Sequence, residues 1–279
     1  MWKLYGNKGP LRIRLPHRRI VYTPLFLVGL LLIVTAAQQL FAEEREYIDA
    51  RTEYDEIRER YPVMSMYQPP GSSQSVPYDS TEYIQRPVIP NRADPEYASS
   101  NSPDAGQLAL LAGLTEINRD FIGWISIEGI IDYPVVQGYD NSIYLDMTFT
   151  GNWNGAGAIF MDNRHTRGFD STVCILYGHN MKDGSMFAPL HQYYDRDFMT
   201  KHPNIAVVTK DGELLIYKVF AARYTTIEDK AYLLGYPDGK AAAEAFRAPG
   251  DTSRFLLLST CTNTYDHDLR LLVFASLVN

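Results

Sequence analysis

Cysteine is scarce in this chain, two residues among 279, and that excludes a disulfide-built scaffold. Basic charge is scarce over most of its length. Residues 1–42 hold Lys3, Lys8, Arg12, Arg14, Arg18 and Arg19 with no acid, which leaves 20 bases against 33 acids for the remainder. Such an acidic body argues against nucleic acid as a partner, because phosphate binding needs a basic face. Long hydrophobic runs are also few. The one that stands out is Ile20–Ala42, 23 residues without a charge. Apolar residues as a class are plentiful at 46%, enough for a packed core and too many for a disordered chain.

The uncharged run would span roughly 34 Å as a helix, against about 30 Å for a bilayer's hydrocarbon core. Its basic flank precedes it and Glu43, Glu44 and Glu46 follow. The positive-inside tendency then predicts a single-pass membrane protein with a cytoplasmic basic tail (1–19), a transmembrane anchor (20–42) and everything later outside the cell. A cleavable signal peptide is the competing reading, with Thr35-Ala36-Ala37 or Leu40-Phe41-Ala42 as its cleavage site. The run exceeds the usual 7–15 residues of a signal core, which favours the anchor.

Residues 43–61 read as a helical stem, with Tyr47, Ala50, Tyr54, Ile57 and Tyr61 on one face. The stem reads as a solvated helix that at most rests on the domain, with a short dimerising coiled coil as the alternative. Residues 62–106 hold eight of the sixteen prolines and many serines, the composition of an extended spacer. Residues 107–279 form the folded domain. Asp104 is placed to cap a helix running to about Arg119. Eight strand-like runs follow: 124–127, 131–136, 158–161, 173–177, 205–209, 214–223, 254–259 and 269–277. Their spacing predicts a mainly β fold, an eight-stranded, closed or nearly closed antiparallel barrel, with peripheral helical patches at 186–193 and 240–247.

Cys261 ends the run Phe255-Leu256-Leu257-Leu258-Ser259-Thr260, and Arg270 opens the next one nine residues later. If the two runs pair as a hairpin, thiol and guanidinium meet at one end of the sheet. His179 follows the run Val173–Tyr177 in the same strand-end manner. Cysteine chemistry needs a thiolate, and a nearby histidine and arginine would raise its fraction and supply a general acid and an oxyanion donor. A buried packing cysteine and a surface arginine remain the alternative on spacing alone.

The residues themselves carry a resemblance. Leu257-Leu258-Ser259-Thr260-Cys261 with Arg270 resembles the Thr-Leu-Xaa-Thr-Cys and Arg signature of the sortases. Ile175–Met181 followed by Asp183–Phe187 is similar to the histidine segment of class B members, and Phe160-Met161-Asp162 with Arg164 fits the same pattern. The similarity covers roughly Gln107 to Asn279. It implies a membrane-anchored cysteine transpeptidase of Gram-positive bacteria with a sortase-like β-barrel. Cys261 would be the nucleophile, His179 the general acid and base, and Arg270 the oxyanion stabiliser, with Tyr177, Ser259 and Thr260 lining the substrate groove. The implied partners are surface-protein sorting signals and an amine from a cell-wall precursor or a pilin lysine. No cofactor or metal is implied. Leu257 stands where the family often has Thr. Asn263 stands where some class B members have Asp, so no Cys/His/Asp triad is expected through it.

A pilin-polymerising enzyme, a cysteine hydrolase and an inactive membrane-tethered binding module are the alternatives. His267, in the polar Asp266-His267-Asp268, is a rival base, and the triplet is too short of further ligands for a metal site. His165, His191 and His202 have no chemical neighbours visible in the sequence. Asp94-Pro95-Glu96-Tyr97 is similar to the lid motif of class C sortases but reads as a linker turn. Cys174, five residues before His179 on one strand, lies about 16 Å from it. It is therefore expected to be a buried core thiol and not a disulfide partner of Cys261.

Overall fold

The computed structural model describes residues 19–66, 103–250, 252–262 and 268–278, and the chain divides into two compact units, 1–45 and 46–279. In the first unit the described residues belong to one helix, α1 (Arg19–Arg60), which continues into the second. Its side chains from Leu25 to Phe41 are exposed, and an 18-residue window has mean hydropathy 2.1 with no part buried. This is a candidate membrane span by length and composition.

Within the second unit, α1 turns the face predicted from its three-and-four spacing inward. Ala50, Tyr54, Ile57 and Tyr61 are all buried in the main core, so this face packs on the barrel and leaves no seam for a coiled coil. Polar contacts fix the same segment. The Tyr54 hydroxyl donates to the Gly157 carbonyl (2.7 Å) and accepts from Phe149 N–H (3.3 Å). The Glu53 carboxylate accepts from Thr148 Oγ1 (2.9 Å), Thr150 N–H (3.2 Å) and Asn152 Nδ2 (3.1 Å).

Helix α2 (Ala105–Ile117) starts where Asp104 predicts, and Gln107 completes a reciprocal capping box. It stops at Ile117, two residues short of the expected end, because Asn118 adopts an extended backbone. Eight strands follow: β1 (Phe121–Ile127), β2 (Ile131–Val136), β3 (Ile159–Met161), β4 (Val173–Tyr177), β5 (Asn204–Thr209), β6 (Leu214–Thr226), β7 (Phe255–Cys261) and β8 (Leu269–Leu277). They close into a barrel in the order β1-β2-β3-β4-β7-β8-β6-β5.

The closed eight-stranded barrel is as expected, but it is not purely antiparallel. β2 with β3 and β4 with β7 are parallel pairs. Parallel neighbours require long crossovers, and the β4-to-β7 crossover contains β5, β6 and two short helices. A reading that joins successive runs by short turns does not detect such a pair. Strand β6 also extends three residues past the expected Arg223, because Tyr224, Thr225 and Thr226 pair with Leu271, Arg270 and Leu269 of β8.

Strand β7 is buried on both sides, which explains its unbroken Leu run. Leu256 and Leu258 join the barrel interior. Phe255 and Leu257 join a second, outer cluster with Ala242 and Phe246 of the helix Gly239–Phe246. The short helix Arg196–Lys201 is α3 and Gly239–Phe246 is α4.

Candidate active site

The parallel β4–β7 ladder sets the site. Tyr177 is in register with Ser259, so both strands run out at the same end of the barrel. Gly178 N–H then donates to the Ser259 carbonyl (3.2 Å), and His179 and Cys261 emerge side by side from two strand ends. A side chain does not fit at Gly178, where a Cβ would lie 2.5 Å from Ile159 Cδ1 and 2.7 Å from the Phe187 ring. On the other side of β7, Cys261 is the register partner of Arg270 in β8, and Arg270 is the partner of Thr225 in β6.

Cys261 is exposed and unbridged. With His179, Arg270, Tyr177, Ser259 and Thr260 it lines one cleft of about 370 Å³. The His179 ring has Nε2 2.7 Å from the Leu145 carbonyl oxygen. A carbonyl only accepts, so Nε2 is the donor in this contact. Arg270 is anchored by Nη1 donating to the Leu269 carbonyl (3.0 Å).

An aromatic wall faces these groups. Tyr177 stacks on Tyr232 with ring centroids 6.5 Å apart and planes 4° from parallel, and the Tyr232 and Ser259 hydroxyls are 2.9 Å apart. Behind the wall lies Asp162, fully buried. Its carboxylate accepts from the Tyr177 hydroxyl (2.8 Å) and from Arg164 Nε (2.8 Å), Nη2 (2.7 Å) and backbone N–H (3.0 Å). Burial disfavours the Asp162 charge, but these donors outweigh it and hold the carboxyl far below the usual carboxylate range. Burial, and then that same charge, push the Tyr177 phenol far above its ordinary value. Tyr177 is therefore a wall with a fixed orientation and not a proton carrier. Thr260 shares strand parity with Leu256 and Leu258, which turns its side chain towards the barrel interior. Its Oγ1 is buried without a hydrogen-bond partner among the described residues.

Residues 125–278 match the sortase domain. The chain belongs to the sortase family. Its relatives place it in class B. It is 42% identical to sortase B of Listeria monocytogenes over 125 residues, which is 44% of this chain and half the length of that protein. It is 31% identical to sortase B of Staphylococcus aureus over 179 residues, covering 59% of this chain and 73% of that one. The fold superposes on the Staphylococcus aureus sortase B–substrate complex with a TM-score of 0.63 at 23% identity, covering 84% of this chain and 99% of the other.

Three histidines of this sortase have neighbours that the sequence does not reveal. His165 is buried, its Nε2 accepts from Ile175 N–H (3.0 Å), and burial lowers its pKa. His202 packs on Phe198 at 4.6 Å. His191 lies within hydrogen-bond distance of the Cys261 carbonyl, 3.1 Å from Nε2, and of the Tyr224 hydroxyl, 3.2 Å from Nδ1. Cys174 is a core thiol as expected, unbridged and donating to the Gly168 carbonyl (3.3 Å), and burial pushes its pKa up to about 12. Tyr232, Ile227, Leu145 and Asn141 also line the cleft. They come from loops with no motif of their own, so no sequence signal marks them. His267, Asn263 and residues 94–97 lie outside the described residues, as does 67–102 of the Pro/Ser-rich stretch. Among the described residues no group of three or more His, Cys, Asp or Glu side chains could hold a metal.

Proposed function

We propose that this class B sortase is a cysteine transpeptidase in which Cys261 is the nucleophile, His179 the general acid and base, and Arg270 the oxyanion and substrate holder. The observation that carries the reading is the register pairing of Cys261 with Arg270 at the strand end that His179 also reaches. A protein built only for binding has no need to bring an exposed thiol, an imidazole and a guanidinium into one cleft.

The reaction runs in two halves. The Cys261 thiolate attacks the carbonyl carbon of a Thr or Ser in a sorting signal. The carbonyl oxygen becomes an oxyanion beside Arg270, whose forked donors suit it. The C–N bond then breaks, His179 delivers its proton to the departing amine, and a thioester remains on Cys261. An incoming amine, deprotonated by His179, attacks the thioester, and the collapse returns the thiolate. That amine belongs to a cell-wall precursor, with a pilin lysine as the second candidate. The apolar segment 20–42 anchors the enzyme in the membrane, the basic tail 1–19 lies in the cytoplasm and the catalytic domain outside. Helical stem 43–61 and spacer 62–106 connect anchor to domain.

The test is incubation with peptides carrying candidate sorting signals, followed by mass spectrometry of the intact protein. A thioester adduct on Cys261 that an added amine resolves into an amide product is the expected result. Cys261→Ala abolishes the adduct, and Arg270→Lys severely slows it. Turnover near the native rate in Cys261→Ala removes the assignment. Release of the acyl group to water with no amine incorporated points to a hydrolase.

A further inference from the structure

The Cys261 main chain has a structural need that the barrel itself does not meet. Two residues upstream, the Ser259 carbonyl is taken by Gly178 N–H as β4 ends. Beyond that point β4 has no residue left to pair, and Cys261 is the last residue of β7. The donor that does reach the Cys261 carbonyl is a side chain from a different part of the fold. His191, in the 3-10 turn Ala188–Tyr194, brings Nε2 to 3.1 Å of that oxygen.

The ring's other contact determines how it is held. Nδ1 lies 3.2 Å from the Tyr224 hydroxyl. Because a carbonyl only accepts, Nε2 bears the hydrogen, and a neutral ring then accepts the Tyr224 O–H at Nδ1. The Tyr224 ring lies beside the imidazole, with centroids 5.9 Å apart and planes 30° from parallel, and packs on Tyr194 at 5.4 Å. It is itself fixed on β6, in register with Leu271 and one residue before the partner of Arg270. The turn carrying His191 begins beside the other reacting group, since Phe187 N–H donates to the His179 carbonyl (2.9 Å).

We infer that His191 is a positioning residue for the nucleophile: its Nε2–H tethers the Cys261 carbonyl and so fixes the direction in which the thiol projects between His179 and Arg270. This rests on the reading of Cys261 as nucleophile but not on the identity of the peptide. Fixing the last peptide unit of a strand fixes its Cα–Cβ vector. A reacting group displaced by about 1 Å can lose about a hundred-fold in rate, so release of one tether, with partial displacement, is expected to cost about ten-fold.

The experiment uses the full chain with two readouts: the second-order rate of Cys261 alkylation by iodoacetamide, and kcat and KM with a sorting-signal peptide. His191→Ala is expected to slow alkylation and kcat about ten-fold with KM unchanged, since a thiol aimed away from substrate weakens reaction more than binding. In His191→Gln the amide nitrogen reaches the Nε2 position, and this variant is expected to recover most of both rates. His191→Asn reaches only the Nδ1 position and is expected to behave as Ala does. Native alkylation and kcat in His191→Ala overturn the inference, and so does a Gln variant no better than Asn. If alkylation follows the pattern while the native protein turns over no peptide, the tether stands and the sorting-signal reading fails.

Discussion

Replacing Asp162 by Asn keeps the side chain's size and removes its charge, a change the wall behind the cleft should feel strongly. One carboxylate oxygen takes Arg164 N–H and Nε, and the other takes Arg164 Nη2 and the Tyr177 hydroxyl. Whichever way an amide is turned, its NH2 group faces two donors. The less costly placement puts NH2 against Tyr177, whose hydroxyl can rotate to accept, and releases Arg164 Nη2. Breaking a buried ion pair from one side costs about 3–5 kcal/mol. The Arg164 side chain is 52% exposed while that of Asp162 is fully buried, so water resolvates the freed guanidinium and the expected loss falls to about 2 kcal/mol. For a unit the size of 46–279 this lowers Tm by about 4–8 °C.

The pH dependence follows from the direction of the Asp162 shift. Its native pKa lies below the unfolded value of about 3.9, so its stabilisation is complete above that value and is lost as pH falls towards the native one. Urea melts from pH 7 to pH 3 should therefore show a gap between native protein and Asp162→Asn that is constant at neutral pH and narrows below about pH 4. A gap absent at pH 7, or one that persists unchanged at pH 3, refutes the account of Asp162 as the charged support of Tyr177.

Alkylation of the native protein should place one adduct, on Cys261, and a second on Cys174 only after unfolding, because Cys174 is fully buried with its pKa at about 12; peptide mapping reads both. Tyr54→Phe leaves the Gly157 carbonyl and the Phe149 N–H without their shared partner and should cost about 1–3 kcal/mol in denaturant melts. An unchanged midpoint would mean that the α1 segment is not held through this hydroxyl. Gly178→Ala forces Ile159 and Phe187 apart or moves the chain just before His179. Overpacking of this kind costs about 1–3 kcal/mol, and peptide turnover should fall more than stability does.

Local signals in the sequence carried much of the fold. Asp104 and Gln107 announce a capped helix, and the α1 residues spaced by threes and fours form the buried face. The nine residues from Cys261 to Arg270 translate directly into a register pair, because a hairpin is a local object. The parallel pairing of β4 with β7 is not local. It joins residues about eighty apart through backbone hydrogen bonds, so although the unbroken apolar run marks β7 as buried on both faces, nothing in the sequence names β4 as its partner. His191 was unreadable for a similar reason. His191 has no chemical neighbour along the chain until the fold brings the turn Ala188–Tyr194 to the end of β7. Tyr232 and Ile227 enter the cleft from the start of a crossover, residues 227–232, which follows no strand or helix period.

That crossover, from Thr226 to Phe255, leaves β6 at the cleft end and must return outside the barrel to start β7 at the far end. On the way it places Ile227 and Tyr232 in the cleft and lays Ala231, Ala242 and Phe246 over the outer face of β7. Chain length in such an excursion is cheap, about 0.6 kcal/mol for each doubling. The strand ends that carry Cys261, Arg270 and His179 have a register fixed independently of it. Divergence among relatives can therefore accumulate in this segment, changing which peptides fit, while the strand ends that carry Cys261, Arg270 and His179 stay where they are.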